Sequence, residues 1–144
     1  MNEIILCIPI YNDWESASLL LEQIDLVTYK HSLNSSVLLV DDASTDAIPK
    51  DLAKLLTHIK RLEVLKLRRN LGHQRAIALG LTFIYQERPC RAVVVMDGDG
   101  EDSPSDVIYL LEQFQYHQGK RIIFAKRSRR SEGLGFKIFY QIYK

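Results

Sequence analysis

The chain has 144 residues, of which 47% are hydrophobic and 26% charged, with a formal net charge of +1. That length suits one domain with a sizeable core, and the near-neutral total gives no electrostatic footprint for nucleic acid, so no such partner is expected. No stretch is long and apolar enough to span a bilayer, no basic-then-apolar leader precedes Ile4-Ile5-Leu6, and Cys7 and Cys90 have neither metal nor redox spacing, which points to a reduced, cytoplasmic setting.

Short runs rich in Val, Ile and Leu alternate with longer stretches of helical spacing. In chain order the pattern predicts a strand over 4–9, a helix over 14–29, a strand over 37–41, a helix over 49–58 and a strand over 62–67. A helix over 72–86, a strand over 92–97, a helix over 104–117, a strand over 121–126 and a last helix from near Leu134 complete it. Strict alternation predicts an α/β fold: a doubly wound, mainly parallel, Rossmann-like sheet with helices on both faces. Ligands of such sheets bind beyond the carboxyl ends of the strands.

Polar residues gather at those ends. The first strand runs into Pro9-Ile10-Tyr11-Asn12-Asp13, and the second into Asp41-Asp42-Ala43-Ser44-Thr45-Asp46. Tyr11 offers a face for stacking on a base or for packing on a neighbouring loop. Of the paired carboxylates, Asp42 is assigned to ligand and Asp41 to structure, since one of two adjacent acids commonly holds the turn that follows. Arg68-Arg69-Asn70-Leu71-Gly72-His73-Gln74-Arg75 could bring backbone N–H groups and positive charge near phosphates, although it is neither a P-loop nor a full dinucleotide fingerprint.

The fourth strand ends in Asp97-Gly98-Asp99-Gly100-Glu101-Asp102-Ser103-Pro104. Clustered carboxylates repel one another unless a cation neutralises them, and Mg²⁺ takes one or two protein carboxylates while phosphate and water complete its shell. Asp97, Asp99 and Glu101 alternate so that their carboxylates can converge on such an ion, and the other reading is a purely structural acidic turn. A calcium EF-hand is excluded, because its sixth and twelfth positions would fall on Asp102 and Ile108. Asp102 or Ser103 reads as the N-cap of the following helix. Beyond Gly119 the chain turns basic, and Arg127, Arg129 and Arg130 could clamp phosphate oxygens. His31, His58, His73 and His117 form no metal pair or triad and read as surface or packing residues.

With these motifs in this order, the chain resembles the family 2 glycosyltransferases of GT-A fold, in particular the polyprenyl-phosphate sugar transferases. The first tip looks like the family's Pro-x-Tyr-Asn-Glu opening, with Asp13 in place of Glu. Val40 to Asp46 looks like the second motif, and Asn70 to His73 with Ala76 and Gly80 like the third. Asp97-Gly98-Asp99 looks like the Asp-x-Asp metal motif, with Glu101 where Gln is frequent, and Lys126-Arg127 parallels a later Ser-Arg pair.

The resemblance implies inverting, metal-dependent transfer of a sugar from a nucleoside-diphosphate sugar to a lipid phosphate, such as a polyprenyl phosphate, or to a glycan. Pro9, Tyr11, Asp13, Asp42, Asn70, Gly72 and Asp97 would bind nucleotide; Asp97, Asp99 and Glu101 would hold Mg²⁺ or Mn²⁺. Asp99 and Arg127 would be catalytic, and Arg129 and Arg130 would meet the acceptor phosphate. Residues 1–144 would then be a catalytic core truncated before its acceptor-side or membrane segment, in the cytoplasm at the face of a membrane touched by the basic C-terminal segment. No general base is identifiable, and an ionised phosphate acceptor needs none. Two other readings are a nucleotide-sugar-binding fragment without turnover and a receiver-type signalling domain built on Asp41, Asp42, Asp97 and Lys126. A receiver's acidic pair, however, follows its first strand, and here the pair follows the second.

Overall fold

The computed structural model describes residues 3–54 and 56–125. Its elements, in chain order, are β1 (Ile4–Ile10), α1 (Trp14–Lys30), β2 (Ser35–Asp41), β3 (Leu62–Lys66), α2 (His73–Glu87), β4 (Ala92–Val95) and α3 (Asp106–Tyr116). The strands form one parallel sheet in the order β3-β2-β1-β4. The chain winds from β1 out to β3 and then crosses to the far side of β1 as β4. This reversal leaves a crevice beyond the carboxyl ends of β1 and β4.

Alternation along the strands divides the core into two layers. Ile4, Leu6, Ile8 and Ile10 of β1 join Val37, Leu39 and Val94 in packing against Trp14, Ala17, Leu20, Leu21 and Ile24 of α1 and Val107 of α3. Ile5, Cys7, Leu38 and Val40 face Ala76 and Ile84 of α2 on the other side. Helices therefore cover both faces, as the alternating pattern predicts. Gly80 permits the close approach of α2, since a Cβ there would lie 2.6 Å from Cys7 Sγ and 2.7 Å from Val40 Cγ2. Burial pushes the Cys7 thiol up to about 11, so it behaves as a small apolar group.

Pro9 explains where the crevice opens. The last β1–β4 bond runs from Met96 N–H to Cys7 C=O. The next one in a parallel ladder would need an N–H from Pro9, which has none. Pairing with β4 stops, while β1 stays bonded to β2 as far as the Asp42 N–H to Ile10 C=O bond.

Two predicted elements are corrected. Residues 50–54 form turns rather than a helix, with i-to-i+3 bonds from Leu52 N–H to Pro49 C=O and from Lys54 N–H to Asp51 C=O. The buried Asp25 carboxylate of α1 then accepts the N–H groups of Thr57 (3.2 Å), His58 (2.8 Å) and Ile59 (2.8 Å), drawing this backbone away from helical pairing. Residues 121–125 are likewise not a strand; they line a cavity of about 520 Å³ beside β4 and α3. The chain from Lys126 onward, with its expected last helix, lies outside the described residues. Among the described residues no helix is long and apolar enough to cross a membrane.

Candidate functional site

The tips of β1 and β2 are bound into one unit. Asn12, at φ +55°, donates its N–H to Ser44 Oγ (2.9 Å), and its Oδ1 accepts from Thr45 N–H (2.8 Å), Thr45 Oγ1 (3.2 Å) and Asp46 N–H (3.2 Å). A short amide tolerates this left-handed backbone and satisfies the turn that follows β2. Tyr11, beside it, is half exposed at the mouth of the crevice, and Pro9 is buried in β1. Asp13 caps α1, accepting Ser16 N–H at 3.3 Å.

Asp41 and Asp42 are both buried. Asp41 Oδ1 accepts Ser44 N–H (2.8 Å), while its Oδ2 lies 3.9 Å from Lys66 Nζ. Asp42, read from the sequence as a ligand group, uses both oxygens on backbone: Leu71 N–H at 2.7 Å and Gly72 N–H at 2.8 Å. It fixes the loop between β3 and α2, the loop that carries the exposed Asn70. Gly72 is the N-cap of α2 at φ +89°, a conformation that a side chain rarely adopts. The structure thus ties the β2 tip to the N-terminus of α2.

The acidic loop stands across the crevice. Gly98 is required there, because a Cβ would lie 2.5 Å from Ile10 Cδ1 and 2.9 Å from Pro9 O. Gly100, at φ +75°, makes the next bend. Asp99 Oδ1 accepts Glu101 N–H (2.9 Å), a local Asx-type turn that leaves both side chains facing solvent. The expected cap at Asp102 or Ser103 is corrected: the N-cap residue of α3 is Ser105, and Asp102 Oδ2 accepts Asp97 N–H at 3.4 Å.

His73, the first residue of α2, reaches this loop, with Nε2 3.2 Å from Asp97 Oδ1. It remains an exposed residue, as read from the sequence, with this contact added. His58, also exposed, is a packing residue, its Nδ1 2.9 Å from Asp25 Oδ2. The neighbouring Gly72 was legible as a loop glycine, but nothing in the spacing of residues 73 and 97 announces their contact. Asn12 was visible only as part of a motif, without its clamping role.

Among the described residues no group of three or more His, Cys, Asp or Glu side chains is gathered as a metal cage. The donors present are carboxylates on a solvent-facing loop, hard oxygen ligands beside one imidazole. That set fits an ion that takes one or two protein oxygens and fills its shell from phosphate and water, as Mg²⁺ does. It does not fit a closed structural site. Arg127, Arg129 and Arg130 lie outside the described residues.

A doubly wound parallel sheet binds its ligands beyond the carboxyl ends of its strands at the switch point, and the acidic loop stands at that place. Residues 5–141 match the glycosyl transferase family 2 model, and the chain belongs to that family. It is 28% identical over 138 residues to a dodecaprenyl-phosphate galacturonate synthase of Rhizobium johnstonii, covering 92% of this chain and 38% of that one. It is 29% identical over 136 residues to an undecaprenyl-phosphate 4-deoxy-4-formamido-L-arabinose transferase of Pectobacterium atrosepticum, covering 91% and 38%. An uncharacterized glycosyltransferase of Bacillus subtilis shares 26% over 140 residues, covering 94% and 42%. The chain spans about two-fifths of the length of these relatives.

Proposed function

We propose that this chain is the donor-binding core of an inverting, metal-dependent glycosyltransferase that moves a sugar from a nucleoside-diphosphate sugar to a polyprenyl phosphate. The observation that carries the reading is the acidic loop, set at the switch point of a family 2 sheet and facing a β1–β2 tip already clamped into shape. The two relatives above whose names state a reaction are named for dodecaprenyl phosphate and undecaprenyl phosphate, which supports this acceptor class.

Each residue has a job that its position allows. Tyr11, half exposed where β1 ends, gives an aromatic face to the base. Asp42 serves the nucleotide through the loop it holds at Leu71 and Gly72, whose backbone lines the crevice. Asp97, Asp99 and Glu101 would hold Mg²⁺ or Mn²⁺. When bound, the ion supplies charge neutralisation for the departing diphosphate. Arg127 would add a guanidinium to that diphosphate, and Arg129 and Arg130 would receive the acceptor's phosphate. An ionised phosphate oxygen attacks the anomeric carbon from the face opposite the leaving group, so no general base is required. Such an acceptor places the protein at the cytoplasmic face of a membrane, which the basic residues Arg129, Arg130 and Lys137 would contact peripherally.

Calorimetric titration with uridine, guanosine, cytidine and adenosine diphosphates, each with and without Mn²⁺, tests the reading. One diphosphate is expected to bind in a metal-dependent way; no binding by any of them overturns it. Residues 1–144 alone are expected to bind the donor but transfer sugar slowly or not at all, because holding one of two reactants forgoes most of the gain from proximity. Rapid transfer to a polyprenyl phosphate by this chain would show that the acceptor site is already complete in it.

A further inference from the structure

The contact between His73 and Asp97 joins two parts of the crevice that the sheet leaves separate. Asp42 holds Leu71 and Gly72 by their N–H groups, Gly72 begins α2, and the very next residue, His73, reaches Asp97 Oδ1 with Nε2 at 3.2 Å. A continuous line of polar contacts therefore runs from the β2 tip to the acidic loop, past the end of β1. Both partners are well exposed, with side-chain exposures of 50% for His73 and 36% for Asp97, so as a stability device the pair contributes little. As a device for orienting a carboxylate it is well placed: a ring nitrogen 3.2 Å from one oxygen favours one side-chain torsion of the whole group over the others. Partners of metal-ligating carboxylates act in this way, and their removal typically weakens metal binding by about 10–100-fold.

The geometry points to His73 as a positioning residue for Asp97, one that sets this carboxylate for the metal-bound diphosphate of the donor. The assignment rests on the donor-binding reading above and adds a residue to it. In this role His73 acts through Asp97 rather than on the donor. Its reach from the first turn of α2 also couples the ion to the loop that Asp42 shapes, so the nucleotide and diphosphate ends of the site are set by one segment.

The test uses the full 144-residue chain and the nucleoside diphosphate that binds best, titrated with and without Mn²⁺. His73→Ala is expected to lose at least about tenfold in Mn²⁺-dependent affinity while its metal-free affinity stays as in the unaltered chain. His73→Gln, whose amide nitrogen sits close to where Nε2 does, should recover most of that loss. His73→Asn, whose amide falls short, should not. Should His73→Ala fail to fold, the Gln and Asn variants still give the answer, since both are polar and differ in reach. Undiminished Mn²⁺-dependent affinity in His73→Ala overturns the assignment, as does an equal loss in the Gln and Asn variants or an equal loss without metal. A failure of that kind leaves donor binding standing, whereas an unaltered chain that binds no diphosphate with Mn²⁺ overturns both.

Discussion

The tips of β2 and β4 each present aspartates to the same crevice, and they hold them in opposite ways. Asp41 and Asp42 are buried at 0% and 3% exposure, and three of their four oxygens accept backbone N–H groups of Ser44, Leu71 and Gly72. Asp99 and Glu101 face solvent on a loop bent at Gly98 and Gly100, and Asp97 is over a third exposed. A buried carboxylate bonded to amides is part of the scaffold, because the amides replace the water it gave up. An exposed carboxylate among others of like charge gains little from the fold and a great deal from a cation. One family signature can therefore contain buried acids that build the scaffold beside exposed acids of the kind proposed above to bind, and burial tells the two apart.

The largest expected change in stability follows from this distinction. Asp42→Ala removes the acceptor of two partly buried N–H groups at once and should lower the unfolding free energy by about 2–3 kcal/mol. Denaturant unfolding measures it. A loss below about 1 kcal/mol would place Asp42 with the binders rather than the builders. Gly98→Ala ranks beside it, at about 2–3 kcal/mol, because the new methyl group would press on Ile10 and on the Pro9 carbonyl, which is backbone and yields little. The same unfolding experiment reads it, and a near-neutral result would mean that the acidic loop can retreat from β1.

A third carboxylate, remote from the crevice, extends the builder class. Burial pushes the Asp25 carboxyl up, but hydrogen bonds from the His58 ring and from the Ile59, His58 and Thr57 N–H groups outweigh it and hold the group down at about 2, against an ordinary 3.8. The folded value is the lower one, so the charged form favours folding. Its contribution is complete above about pH 4 and disappears as pH falls toward 2, on the order of 2 kcal/mol in all. Thermal melts over that window should show a drop in Tm that is much smaller in Asp25→Asn, where nothing titrates.

How far the sequence carried this picture follows from the range of the forces involved. The four strands of the sheet and its three long helices were legible because burial on one or both faces writes a period into the residues, as in Ile4 to Ile10 and in Ala76, Gly80 and Ile84. The polar tips were legible because a parallel sheet must end its apolar runs where ligands enter. The turns at 50–54 were not, since helical spacing there competes with Asp25, which lies 32 to 34 residues from the amides it binds. The strand expected over 121–126 failed for a similar reason: residues 122 to 124 have the composition of a strand, and only pairing with β4 would make them one. Of the site, the residue types were readable, but not their division of labour. Asp42 and Asp99 look alike in the chain, and His73 acquires its meaning only when α2 is set beside β4.

The smallest expected effect on stability is also the most telling. Asp99→Asn keeps the shape of the side chain and leaves an amide oxygen to accept Glu101 N–H, so the local turn persists. The residue is exposed, and the change relieves repulsion with Asp97 and Glu101 rather than breaking a buried bond. Unfolding free energy should therefore stay within about 0.5 kcal/mol of the unaltered chain, in contrast to Asp42→Ala. Binding should respond in the opposite sense, because a neutral amide is a poor substitute for a hard anionic oxygen on Mg²⁺ or Mn²⁺. Calorimetry with Mn²⁺ and a nucleoside diphosphate should show the metal-dependent part of the affinity abolished. A variant that is markedly less stable, yet still binds with metal, would reverse the roles of the two tips and make the acidic loop a structural turn.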